Sequence, residues 1–148
     1  MKTDFEWMQA ALGMAQEAFD DGEVPVGAVV VQNGKMVAAG RNRREKAKNA
    51  VLHAEIDAIQ RACENLGGWR LWNCELYVTL EPCPMCAGAI INAHIPKVVF
   101  GAYDFKNGSC GTITNLFDLP YGFKPECTGG VMEEECAALL KKFFKKLR

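Results

Sequence analysis

The stretch VPVGAVVVQNGKMVAAG, Val24–Gly40, sets two apolar runs on either side of Asn33-Gly34. Asn-Gly accepts the positive φ angles of a two-residue hairpin turn, so the stretch predicts two antiparallel strands. Upstream, Thr3 and Glu6 form a capping-box pattern. Phe5, Met8, Leu12, Ala15 and Phe19 then recur at three- and four-residue steps, which marks a helix face. Downstream, the basic loop RNRREKAKN leads into a second helix from about His53 to Asn65. ELYVTL reads as a strand ending at Glu81-Pro82, and Pro84 opens a third helix to about Asn92, because proline suits the first helical position. KVVFGA is a further strand. The last helix, EEECAALLKKFFKKLR, begins acidic and ends basic, as the helix dipole favours. NGSCGTITNLF and DLPYGFKPECTGG show no clear period. The order α-β-β-α-β-α-β-…-α joins a hairpin to crossover-connected strands, which predicts a mixed sheet covered on both faces by helices. With no repeat or linker, residues 1–148 read as one domain.

The net charge of −1 gives no global attraction to nucleic acid, so such a partner would need a local basic patch. The N-terminal stretch alternates charged and apolar residues and reads as neither signal peptide nor membrane span. Seven scattered cysteines suit a reducing, cytoplasmic compartment better than a disulfide framework. Cys63, Cys74, Cys127 and Cys136 fit apolar contexts, which leaves Cys83 and Cys86 as the only C-x-x-C pair.

Those two cysteines stand at a helix start, where the dipole favours the thiolate form that binds metal. The same spacing serves redox dithiols. His53 and Glu55 lie two residues apart, and a regular helix would turn their side chains about 200° from each other. They can serve one site only by straddling the helix entrance. His53, Cys83 and Cys86 would make three zinc ligands, and three protein ligands plus an open position is the pattern of catalytic zinc. Two thiolates and a neutral imidazole neutralise the dication. Glu55, free of the metal, would shuttle a proton. His94 reads as a surface or helix-end residue, and Cys110 is a remote candidate for a fourth ligand, although its Gly-rich loop reads better as a substrate-contacting turn. In the tail, KKFFKKLR surrounds Phe143 and Phe144 with lysines, a composition suited to stacking and phosphate attraction. It also fits an ordinary amphipathic stripe. RNRREKAK and Arg70 add basic surface.

H-x-E followed by P-C-x-x-C is the signature of the zinc-dependent nucleobase deaminases. Beyond it, EVPVGAVVV, HAEIDAI, LYVTLEPCPMCAGAI, VVFGAYD and ECAALLKKFF resemble the bacterial tRNA-specific adenosine deaminases, in the family's order and over nearly the whole chain. The resemblance implies the cytidine-deaminase-like fold, a three-layer α/β/α arrangement with a five-stranded mixed sheet. It implies hydrolysis of adenosine to inosine at the wobble position of a tRNA anticodon. It also implies one zinc per chain and a homodimer in which both subunits help to bind the anticodon stem-loop. By position it makes His53, Cys83 and Cys86 the zinc ligands and Glu55 the catalytic proton shuttle. The Ala54 amide and Asn42 would contact the base, and Val26 would line the pocket. Asp104 would touch a ribose hydroxyl, and Phe143-Phe144 would lie near the substrate loop. Two departures stand out: Val51-Leu52 precedes His53 where the family usually has a small residue with threonine, and PYGFKPECTGG lacks the usual Asn-His pair.

Two other functions fit parts of this pattern. One is deamination of a free base or nucleoside of the guanine or cytosine type. The other is a noncatalytic zinc-stabilised RNA-binding subunit, against which the presence of Glu55 argues.

Overall fold

The computed structural model describes residues 2–147. Helix α1, Asp4–Asp20, starts at the expected capping box: the Thr3 hydroxyl accepts from the Glu6 amide at 3.2 Å, and the Glu6 carboxylate accepts from the Thr3 amide at 3.3 Å. Strands β1, Gly27–Gln32, and β2, Lys35–Arg41, form the hairpin, with Asn33 at φ 50° and Gly34 at φ 74°. A short helix α2, Arg44–Ala47, interrupts the stretch expected to be loop. It forms because the buried Glu23 carboxylate accepts from the Glu45 and Lys46 amides at 3.1 and 2.9 Å. That long-range anchor gave no local signal.

Helix α3, Ala54–Leu66, is followed by strand β3, Cys74–Leu80, helix α4, Pro84–Ala93, and strand β4, Lys97–Ala102. A 3₁₀ turn at Leu116–Asp118, the short strand β5, Glu126–Thr128, and helix α5, Glu133–Lys146, complete the order. The five strands run β2-β1-β3-β4-β5, with β1 antiparallel to both neighbours and β3, β4 and β5 parallel. Apolar side chains of α3 and α4 pack on one face of the sheet, and those of α1 and α5 pack on the other. The expected three-layer arrangement with a mixed sheet is therefore present.

Two glycines let helices approach the sheet closely. A Cβ on Gly40 would collide with the Ala58 backbone in α3, and one on Gly27 would collide with the α1 backbone at Ala11 and Ala15. Among the described residues, no helix is long and apolar enough to cross a membrane.

Topology decides where the site lies. Strands β2 and β3 both run opposite to β1, so their C-terminal ends share one edge of the sheet. Helices α3 and α4 follow those ends, and both helix N-termini therefore meet there. Crevices outside the carboxyl ends of strands are the usual ligand sites of open α/β sheets.

Candidate active site

His53 caps α3 with extended backbone, φ −71° and ψ 165°, while Glu55 already lies inside the helix. The break between cap and helix solves the two-residue problem: side chains that a regular helix would separate converge on one point. Cys83 plays the same part for α4, capping it at φ −76° and ψ 175°, with Pro84 next and Cys86 within the first turn. The His53 Nδ1 atom lies 3.6 Å from each of the two sulfurs. His53, Cys83 and Cys86 bring one ligand atom each to within 4.8 Å of the others, a cluster able to hold one metal ion. His94 and Cys110 stay outside it. The His94 ring instead packs 4.8 Å from Phe123 at the far end of α4, and Cys110 is buried in the core.

The electrostatics suit a cation. The Cys83 thiol is pulled down to about 4, first by the hydrogen bond it shares with Cys86, with His53 helping against the cost of burial. The bond to Cys83 and burial push Cys86 up. His53 is raised, chiefly by its bond to Cys83. Glu55, only 4% exposed, is pushed up to about 7 by burial, and the charge of Cys83 adds to the rise.

Above the cluster opens a pocket of about 800 Å³. Val26, Asn42, Ala54, Asp104 and Phe144 line it with His53, Glu55 and Cys83. Asn42 is held on both sides: its Oδ1 accepts from the Arg44 amide at 3.1 Å, and its Nδ2 donates to the Val24 carbonyl at 3.3 Å.

Two expected contacts fall elsewhere. Phe143 is 5% exposed and packs edge-on against Phe19, with ring centroids 5.8 Å apart, so it belongs to the core. Leu140, Phe144 and Leu147 reach the pocket, and Phe143, about 100° around the helix from Phe144, lies on the edge of that stripe turned into the core. Arg70 lies beyond the C-terminal end of α3, opposite the pocket. Its guanidinium stacks 4.2 Å from the Trp69 ring centroid and 5.6 Å from that of Trp72.

Comparison with known proteins agrees with this geometry. The family model for MafB19-like deaminases matches residues 2–148. The tRNA-specific adenosine deaminase of Bacillus subtilis (strain 168) is 47% identical over 149 residues, covering 100% of this chain and 92% of that protein. The chain belongs to the tRNA-specific adenosine deaminase family. A solved structure from work on A-to-I editing by tRNA:A34 deaminases at the wobble position of transfer RNA superposes with TM-score 0.88 at 41% identity. That match covers 90% of this chain and 98% of the other. Guanine deaminase from Bacillus subtilis is more distant, with TM-score 0.67 and 32% identity over 85% of this chain and 84% of that one. The enzyme is thus a hydrolytic deaminase.

The Gly-rich loop read as a substrate-contacting turn begins at Asn107, which lines the pocket, but sequence reading missed the wall contributed just before it by Tyr103, Phe105 and Lys106. Its only local signal was the Lys106-Asn107-Gly108 turn chemistry directly after a strand. Arg44 also lines the pocket, from the basic loop. The Val51-Leu52 departure sits at the α3 entrance: the Leu52 carbonyl accepts from the Arg43 amide at 3.1 Å, and Val51 is exposed. Nothing in the structure explains why valine stands there. Where the Asn-His pair is absent, Gly122 and Phe123 pack beside His94 and Trp69 around a separate hollow.

Proposed function

We propose that this chain, one domain throughout, hydrolyses the 6-amino group of adenosine at the wobble position of a tRNA anticodon, yielding inosine and ammonia, with one zinc ion per chain. The observation that carries this reading is the placement of buried Glu55 beside the His53–Cys83–Cys86 cluster at the base of a nucleotide-sized pocket. Zinc fits the donor set. Zinc–sulfur bonds of about 2.3 Å and zinc–nitrogen bonds of about 2.0–2.1 Å at a tetrahedral angle span about 3.6 Å between nitrogen and sulfur. The cluster holds its nitrogen 3.6 Å from each sulfur. When bound, such a zinc supplies an activated water close to neutral pH.

The chain's own residues supply the rest. Glu55, with its pKa raised toward neutrality, carries a proton to ring N1 of the base and then to the leaving amine. Asn42, fixed by two hydrogen bonds, keeps one amide N–H and one carbonyl lone pair for the Hoogsteen edge of the purine. The Ala54 amide, in the first turn of α3, lacks an intrahelical acceptor and can donate to the base. Val26 forms an apolar wall, Asp104 stands where a ribose hydroxyl can donate to it, and Phe144 offers a ring for stacking. The 47% identity to a tRNA-specific deaminase, against 32% to guanine deaminase, supports an RNA substrate over a free base.

A homodimer and a cytoplasmic location belong to the same reading. Helix α4 is apolar apart from the exposed Asn92, and Met85, Ala89 and Ile91 are only partly buried in the single chain, which leaves apolar surface for an isologous interface. The test incubates zinc-loaded protein with an anticodon stem-loop and, separately, with free adenine, guanine and cytosine. Inosine in the stem-loop is expected. Conversion of a free base alone would overturn the assignment.

A further inference from the structure

Glu81 is 2% exposed and immediately precedes Pro82-Cys83 in the metal-binding turn. Its carboxylate is engaged entirely by the segment after β4. One oxygen accepts from the Asp104 amide at 3.1 Å and from the Thr112 hydroxyl. The other accepts from the Cys110 amide at 3.1 Å and the Thr112 amide at 3.0 Å. Next to it, the Ser109 amide donates to the Pro82 carbonyl at 2.9 Å. Gly108 makes room for the nest, since a Cβ there would lie 2.5 Å from the Glu81 carboxyl carbon.

This segment has no regular structure between β4 and the 3₁₀ turn, yet it supplies the pocket wall of Tyr103, Asp104, Phe105, Lys106 and Asn107. Phe105 is 80% exposed and has no packing of its own to hold it. The wall is therefore positioned from behind. Three of the four donors are backbone N–H groups, which can only donate, and an ionised carboxylate can only accept. A glutamine would set its own N–H group against at least one of them.

We propose that Glu81 is a positioning residue for the substrate: by clamping residues 104–112 to the metal-binding turn it fixes the far wall of the pocket and sets affinity for the target nucleotide. The inference rests on the function proposed above. Glu81→Gln in the zinc-loaded full chain should raise KM for the anticodon stem-loop at least about tenfold. It should leave kcat within about threefold and the zinc content at one per chain. Thr112→Val, a milder cut at the same clamp, should raise KM in the same direction, and the double variant should be no worse than Glu81→Gln alone. Stem-loop affinity measured in a Glu55→Ala background should weaken in parallel. Lost zinc or a fallen kcat at unchanged KM would overturn the proposal and assign Glu81 to the metal-binding turn. If Glu81→Gln does not fold, an unchanged KM and affinity in Thr112→Val overturns it equally. A wild-type chain that makes no inosine would defeat the functional reading instead, while the affinity arm would still judge the clamp.

Discussion

Glu55 sits in the most consequential position of the chain, buried against two sulfurs and an imidazole, with no salt-bridge partner among the described residues. Structural carboxylates in this protein look different. Asp57, two residues further along α3, holds the side chains of Arg43 and Arg61 at 2.9 Å each. Burial alone would raise its pKa, but those cations and the Arg41 amide outweigh burial and keep it low. Glu55 has no such support, and its pKa moves the other way. Under the function proposed above, this carboxylate exchanges a proton. Glu55→Ala should therefore lower kcat by about 10²–10⁴-fold or more, while zinc content and stem-loop affinity stay at wild-type levels. Elemental analysis, a binding titration and an inosine assay on one preparation would check all three. Persistent inosine formation by the variant would refute the proton-shuttle role.

Helix α5 shows the same separation of roles between adjacent residues. Phe143 is buried between Phe19 and Phe144, whereas Phe144 is 46% exposed and lines the pocket. Phe143→Ala should cost about 3–5 kcal/mol of stability, as large core deletions do, and leave KM little changed. Phe144→Ala should leave the thermal midpoint nearly unchanged but weaken stem-loop affinity by about 1–3 kcal/mol, the worth of one stacked base. Thermal melts paired with KM measurements distinguish the two, and equal effects from both would contradict the assignment. The sequence could not separate these residues because both fit a stripe of period 3.6, and only the pocket's position decides which edge of the stripe lines it. The metal cluster was more legible. Cysteine and histidine have few other uses at helix starts, and the odd spacing of His53 and Glu55 required the backbone break that the structure shows. The hairpin was equally open to reading, because Asn33-Gly34 carries its own turn geometry. Strand β5, only Glu126–Thr128, and the wall after β4 stayed hidden because distant groups hold them: β4 pairs with the first, and Glu81 with the second.

At the scale of the whole molecule, Arg70 is the residue that one chain cannot place. Helix α3 runs about 20 Å from the His53 cap to its C-terminal end, so Arg70 lies too far from its own pocket to touch a nucleotide there. In the homodimer proposed above, an interface through the outer face of α4 would change that. A two-fold axis perpendicular to α4 would set the two copies of that helix antiparallel and carry the C-terminal end of one protomer's helices toward the pocket of its partner. Arg70, held against the rings of Trp69 and Trp72, would then be a cation within reach of RNA in the partner's site. Subunit mixing tests this arrangement. Glu55→Ala and Arg70→Ala homodimers should each be weak, the first through lost chemistry and the second through lost affinity. After unfolding, mixing and refolding at equal amounts, a heterodimer has one pocket that contains Glu55 and receives Arg70 from the Glu55→Ala chain. Activity at low stem-loop concentration should rise well above the mean of the two parents, toward about a quarter of wild type if half the dimers are mixed. Simple averaging would mean that Arg70 acts within its own chain or not on RNA at all. A monomer in sedimentation would remove the arrangement altogether.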